Sequence, residues 1–125
     1  MGHPISISTR EAAAAHRVSP RTIRRWAQNG KLDAVKVSGR WQIAVTADLD
    51  GFKPQQVDKA RELIEQGAIL PTSRQGLYTA VSGDGTTTYL VHRASCSCPA
   101  SRHGRACYHR CAVALLEAAP AARAA

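Results

Sequence analysis

The sequence predicts an α+β chain made of two small modules. Three observations carry that expectation. Two capped helical segments lie three residues apart near the start. Alternating apolar and polar residues mark hairpins near positions 35–43 and 77–92. All four cysteines (Cys96, Cys98, Cys107, Cys111) fall in one short stretch near the end. At 125 residues the chain holds one ordinary domain or two very small ones.

The first element begins at Ser8. Ser8-Thr9-Arg10-Glu11 is a capping-box pattern, and the alanines at 12–15 extend a short helix to about His16. A second start follows at once, with Ser19 as N-cap and Pro20 in the first helical position. Ile23, Trp26 and Ala27 form one apolar stripe, and Asn29-Gly30 supplies the stop. Two short helices so spaced make a helix-turn-helix.

A hairpin should follow. Val35 and Val37 alternate with Lys36, while Trp41 and Ile43 flank Gln42. A two-residue turn at Ser38-Gly39 would pair Val37 with Arg40 and mix apolar with charged on one face. A three-residue loop, Ser38 to Arg40, pairs Val37 with Trp41 and Val35 with Ile43. Burial favours the second register and puts Arg40 at the tip of a small wing.

Residues 54–66 read as a linker helix with Val57, Ala60, Leu63 and Ile64 on one side and Gly67 as its stop. Strands are expected at Leu77–Ser82 and Thr86–His92 around a Gly83-Asp84-Gly85 turn. A last helix should run from Tyr108 to Ala119, before Pro120 and a frayed tail at 120–125. The expected division is residues 1–53, a linker helix over 54–71, and a third segment over 72–119.

Charge directs the functional reading. The net charge is +8 and the pI about 9.9, which points to a polyanionic partner. No apolar run approaches the ~20 residues that span a bilayer, and no signal peptide is evident, so a cytoplasmic protein without membrane contact is expected. Positions 10–40 hold eight basic and two acidic side chains. With Ile23 turned inward on a helical wheel, Arg21, Arg25 and Gln28 gather on the far side, flanked by Arg24 and Thr22. Arginine pairs with guanine edges or phosphates and glutamine with adenine, so this face suits a major groove. Lys36 and Arg40 on the wing complete the candidate contacts with double-stranded DNA.

Residues 8–52 resemble the excisionase-like, MerR-type winged helix-turn-helix. The likeness rests on Glu11-Ala12-Ala13, the run from Val18 to Trp26, Gly30-Lys31-Leu32 and Asp48-Leu49. It implies that Arg21, Thr22, Arg24, Arg25 and Gln28 face DNA, with Arg40 on the wing, in a bacterial or phage protein.

The cysteines read as a metal site, because no secretory signal favours a disulfide framework. Cys96-Ser-Cys98 and Cys107-Tyr-His109 give C-x-C and C-x-H pairs, four ligands for one tetrahedral, structural Zn2+. Two rival sets replace His109 by Cys111 or use His103. His16 and His92 read as packing or surface histidines. The expected core of this segment is thin (Leu77, Tyr78, Val81, Tyr89, Val91, Val113, Leu116), so metal binding should supply much of its folding free energy. Hairpin, C-x-C, C-x-H and helix, in that order over about residues 77–118, resemble the SWIM zinc finger.

Arg102 and Arg105 in the expected zinc loop, with Arg93 and Arg110 nearby, offer a second DNA contact. Three thiolates around one Zn2+ carry a net −1, which weakens that field. No catalysis is expected, since no H-x-E motif occurs and Glu117 is the sole glutamate after Glu65. Three roles share this architecture: a transcriptional regulator, a recombination directionality factor of excisionase type, and an interaction adaptor acting through the zinc module on a protein partner.

Overall fold

The structure is a computed structural model and describes residues 2–81, 85–93, 95–98 and 107–118. It is α+β, with two antiparallel sheets. Up to Asp48, together with Leu116 to Ala118, the described residues form one compact unit; Leu49 to Leu115 form the other.

In the first unit, strand β1 (His3–Ile7) leads into helix α1 (Thr9–His16). The capping box is complete: Glu11 N–H donates to Ser8 Oγ at 3.1 Å and Ser8 N–H to Glu11 Oε1 at 3.3 Å. This bonding explains how Glu11 is tolerated in a buried position. Arg17 closes α1 in the left-handed region (φ 57°), a conformation more often given to glycine. Helix α2 (Pro20–Gln28) starts on Ser19, whose Oγ accepts from Thr22 N–H. It ends in a Schellman motif: Gly30 N–H meets Ala27 O and Lys31 N–H meets Trp26 O, with Gly30 at φ +73°.

Strands β2 (Ala34–Val37) and β3 (Arg40–Ala47) complete a sheet in the order β1-β3-β2. Trp41, Ile43, Val45 and Ala47 turn inward along β3 while Gln42, Ala44 and Thr46 stay exposed. Ile7, Ala12, Ala13, Ile23, Leu32, Ile43 and Val45 make one buried cluster, so a single core fixes both helices on the sheet.

The hairpin register differs from the expected one. Val37 pairs with Arg40, Lys36 with Trp41, Val35 with Gln42 and Ala34 with Ile43, around a two-residue turn at Ser38-Gly39. Both turn residues have positive φ (50° and 79°), the type I′ signature whose twist matches the flanking strands. Turn geometry therefore overrides side-chain burial: Val35 and Val37 are 61% and 46% exposed. Arg40 is the first residue of β3, one step past the tip.

The second unit opens with helix α3 (Pro54–Glu65), which buries Ala60, Leu63 and Ile64. Strands β4 (Ile69–Pro71), β5 (Leu77–Val81), β6 (Thr88–His92) and β7 (Ser95–Cys96) form a sheet in chain order. Strand β6 starts two residues later than expected, and Ser82, Gly83 and Asp84 lie outside the described residues. Helix α4 (Tyr108–Ala118) buries Cys111 to Leu116. Of the expected core, Val91, Val113 and Leu116 are buried, while Leu77, Tyr78, Val81 and Tyr89 are only half-buried. The tail at 120–125 falls outside the described residues. Among the described residues, no helix is long and apolar enough to cross a membrane.

One buried group makes stability depend on pH. His16 packs edge-on against Trp26, ring centroids 5.5 Å apart, and its Nε2 is buried without a hydrogen-bond partner. Burial holds its pKa below the usual histidine value. Below about pH 6.5 the unfolded chain takes up a proton that folded His16 resists, so stability falls as pH drops through that range. Thermal melts between pH 7.5 and 5.5 should show a larger loss in the wild type than in His16→Phe, which keeps an aromatic ring on Trp26. Equal losses would assign the pH dependence elsewhere.

Candidate nucleic-acid interface and metal centre

Helix α2 is polarised by its packing. Ile23 and Ala27 are buried, and Trp26 is half-buried. Arg21, Arg24, Arg25 and Gln28 are exposed, with no acidic residue on the helix. Thr22 is half-buried as a residue, and its hydroxyl shares an exposed hydrogen bond with Ser19 Oγ at 3.1 Å, so it belongs first to the cap. On the wing, Lys36 Nζ lies 5.8 Å from the Trp41 ring centroid, a cation–π distance. Arg40 is exposed beside the turn. The three-residue loop favoured by burial hides this Lys36–Trp41 contact. It follows from the two-residue turn, and a Ser-Gly pair able to take positive φ is the signal for it in the sequence.

The second cluster joins the last strand of the second unit to the start of helix α4. Strand β7 holds Cys96 opposite Val91 on β6. Ser97 fastens the C-x-C segment, its N–H donating to Leu90 O and its Oγ accepting from Leu90 N–H, both at 3.0 Å. Cys107 stands at the entry to α4 and His109 lies in its first turn, so the helix start delivers the second pair. The four potential ligand atoms of Cys96, Cys98, Cys107 and His109 all lie within 4.8 Å of one another. Cys96 Sγ is 3.7 Å from His109 Nδ1. A tetrahedral ion with bonds of about 2.0–2.3 Å separates its ligands by roughly 3.5–3.8 Å, so the Cys96–His109 pair already has this spacing and the whole group is within a small contraction of it.

The surroundings suit thiolate and imidazole ligands. Cys98, Cys107 and His109 are buried and Cys96 is half-buried. The Tyr108 and Tyr89 rings lie 4.4 and 5.4 Å from that of His109, covering it with aromatic surface. None of the four cysteines is in a disulfide. Burial above all, with the neighbouring thiols adding to it, pushes the Cys96 thiol up to about 12. Burial raises Cys107 as well, and lowers His109, which keeps its imidazole neutral as a ligand must be. Such thiols ionise readily only around a cation, whose charge reverses the local balance.

The rival ligand sets fare differently. Cys111 is fully buried but outside the group, one helical turn beyond Cys107. His103, with Arg102 and Arg105, lies outside the described residues. His92 is exposed and His16 packs on Trp26.

Elemental analysis of purified variants tests the ligand set. Cys98→Ser and His109→Ala should each lower bound metal well below one per chain, while Cys111→Ser should leave it near one. Loss of metal in Cys111→Ser with retention in His109→Ala would reverse the assignment.

Comparison with known families bears on the helix-turn-helix. Residues 7–47 match the model of a family described as a helix-turn-helix domain, a DNA-binding motif. The match spans about a third of the chain and takes in α1, α2 and both wing strands. No curated protein and no solved structure gives a significant match.

Proposed function

We propose that the chain is a sequence-specific DNA-binding regulator whose second unit is held by one structural Zn2+. The observation that carries this reading is the outward face of α2. Arg21, Arg24, Arg25 and Gln28 stand exposed on a helix whose rotation is set by buried Ile23 and Ala27. In this reading α2 enters the major groove, where Arg25 and Gln28 reach base edges and Arg21 and Arg24 meet base or backbone. Thr22 lies at the helix start, near enough to the cap to meet a phosphate. The wing supplies Arg40 to the backbone, and Lys36 stays close to Trp41.

Cys96, Cys98, Cys107 and His109 would hold the ion, and three thiols with one imidazole suit Zn2+. Bound zinc supplies a cross-link between the C-x-C segment and the start of α4 that small side chains alone do not provide. Four protein ligands fill a tetrahedral ion and leave no position for water, so no catalytic role is assigned. The module is SWIM-like in this account, and the working division places DNA reading in residues 1–53, a linker over 54–71 and the zinc module over 72–119. A cytoplasmic setting suits both reduced thiols and DNA.

A second reading has its own support. Leu70 and Leu90 are 51% and 54% exposed, and both pair with Thr79, so they share one face of the second sheet. That face suits a protein partner, as an interaction adaptor requires. A recombination directionality factor would use the same helix and wing to bend its site.

Titrations with a preferred and a random duplex, at several salt concentrations, test the DNA reading. Neutralisation of about five phosphates gives a slope of log affinity on log salt of roughly −4 to −5. Arg25→Ala should cost about 1–3 kcal/mol on the preferred site and relax its sequence preference. Arg40→Ala should weaken both duplexes equally and shrink the slope by about one. Wild-type binding with a slope near zero would remove DNA as the partner. Equal losses on both duplexes for Arg25→Ala would mean that α2 holds backbone without reading bases.

A further inference from the structure

The second unit carries a charge pattern that the metal cluster does not use. From the start of β4 to the end of α4, positions 69–118, the chain has five arginines, no lysine and two acidic residues, Asp84 and Glu117. Three of those arginines are within the described residues, and the sheet collects them. In the antiparallel order β4-β5-β6-β7, one end of the sheet is formed by the end of β4, the start of β5, the end of β6 and the start of β7. Arg74 sits in the β4–β5 turn and Arg93 in the β6–β7 turn, while Leu77 and His92 pair directly across the same end. Arg110, from the first turns of α4, donates its Nε–H to Arg93 O at 3.2 Å.

This end is also held firmly. Thr72 Oγ1 donates to Leu77 O at 2.8 Å and accepts from Arg74 N–H at 3.2 Å, and Leu77 N–H donates to Arg74 O. The turn therefore presents Arg74 from a bonded frame. Gly76, at φ +83°, supplies the left-handed conformation that this turn needs. Arg74 and Arg93 are exposed and Arg110 is half-exposed. Among the described residues no carboxylate forms an ion pair with any of the three. Exposed guanidinium groups carried on a hydrogen-bonded backbone, with no counter-charge among the described residues, are suited to phosphate, which they bind through charge-assisted hydrogen bonds.

We propose that this end of the second sheet is a phosphate-holding surface for duplex DNA, in which Arg74, Arg93 and Arg110 meet the backbone without reading sequence. The inference rests on the DNA-binding reading given above and assigns a separate contact to the second unit. The surface adds affinity and salt dependence to a site chosen by α2.

Arg74→Ala/Arg93→Ala tests this in the full, metal-loaded chain and leaves the Arg110 Nε–H bond to the main-chain carbonyl available. Binding to a preferred and a random duplex is titrated across salt, with metal content and melting temperature measured alongside. The double variant should lose affinity by the same factor on both duplexes. Its slope of log affinity on log salt should be shallower by about 1.8, or about 0.9 for each phosphate no longer neutralised. The ratio of preferred to random binding should not change. If the variant loses metal, Arg74→Gln alone serves, with an expected change of about 0.9. An unchanged slope in a variant with wild-type metal content overturns the proposal and leaves the patch to a protein partner. A lost sequence preference overturns it as well. Absence of salt-dependent DNA binding in the wild type would instead overturn the DNA reading itself, and this surface with it.

Discussion

The burial of Ile23 is the constraint on which the rest of the first unit depends. Ile23 is fully buried among Ile7, Ala12, Ala13, Leu32, Ile43 and Val45, residues drawn from β1, α1, β3 and the turn after α2. A nine-residue helix with only Ile23 and Ala27 fully inside has little else to set its rotation. Turning it by one position would bury Arg24 and Gln28 in one direction, at considerable cost, and in the other would put the Thr22 hydroxyl in place of Ile23. The same packing that stabilises the unit therefore decides which side chains face outward. In this account, specificity for DNA is a by-product of core packing, because the arginines are aimed by the residue they flank.

The second unit solves the stability problem differently. Its described buried residues are six branched aliphatics, four alanines, three cysteines and His109, and several of its larger side chains (Leu77, Tyr78, Val81, Tyr89) remain half-exposed. A unit of this size gains from a further link between its elements, and small units commonly use a metal or disulfides for that. The Cys/His cluster joins a strand end to a helix start. Ser97 and the β6–β7 pairing bring Cys96 to within reach of His109 before any ion is considered. The burial that makes unmetallated thiols resist ionisation also shields a filled site, so local chemistry and fold support each other.

Much of this is legible in the sequence, wherever one residue type has one physical use. Ser8 with Glu11, Ser19 with Pro20, and Asn29-Gly30 place the two helices to the residue or nearly so. The C-x-C and C-x-H pairs identify the four residues that the fold brings together. Where two physical terms compete, the sequence misleads. Burial of Val35 and Val37 argues for a three-residue loop, but the twist of a Ser38-Gly39 turn prevails and leaves both valines outside. Strands β1 and β4 are hard to see in the sequence because each is short and contains a proline, tolerated here because both lie at sheet edges. That Arg74 joins Arg93 and Arg110 does not follow from spacing, since it depends on which strand ends share an edge.

The central claim is that α2 lies in the major groove, and methylation protection on a bound duplex tests it most directly. Dimethyl sulfate modifies guanine N7 in the major groove and adenine N3 in the minor groove, so it reports which groove is occupied. Guanine N7 within the bound site should be protected, and that protection should vanish in Arg25→Ala while the duplex is still held at low salt. Unprotected guanine N7 on a fully bound duplex, with protection confined to adenine N3, would contradict the claim.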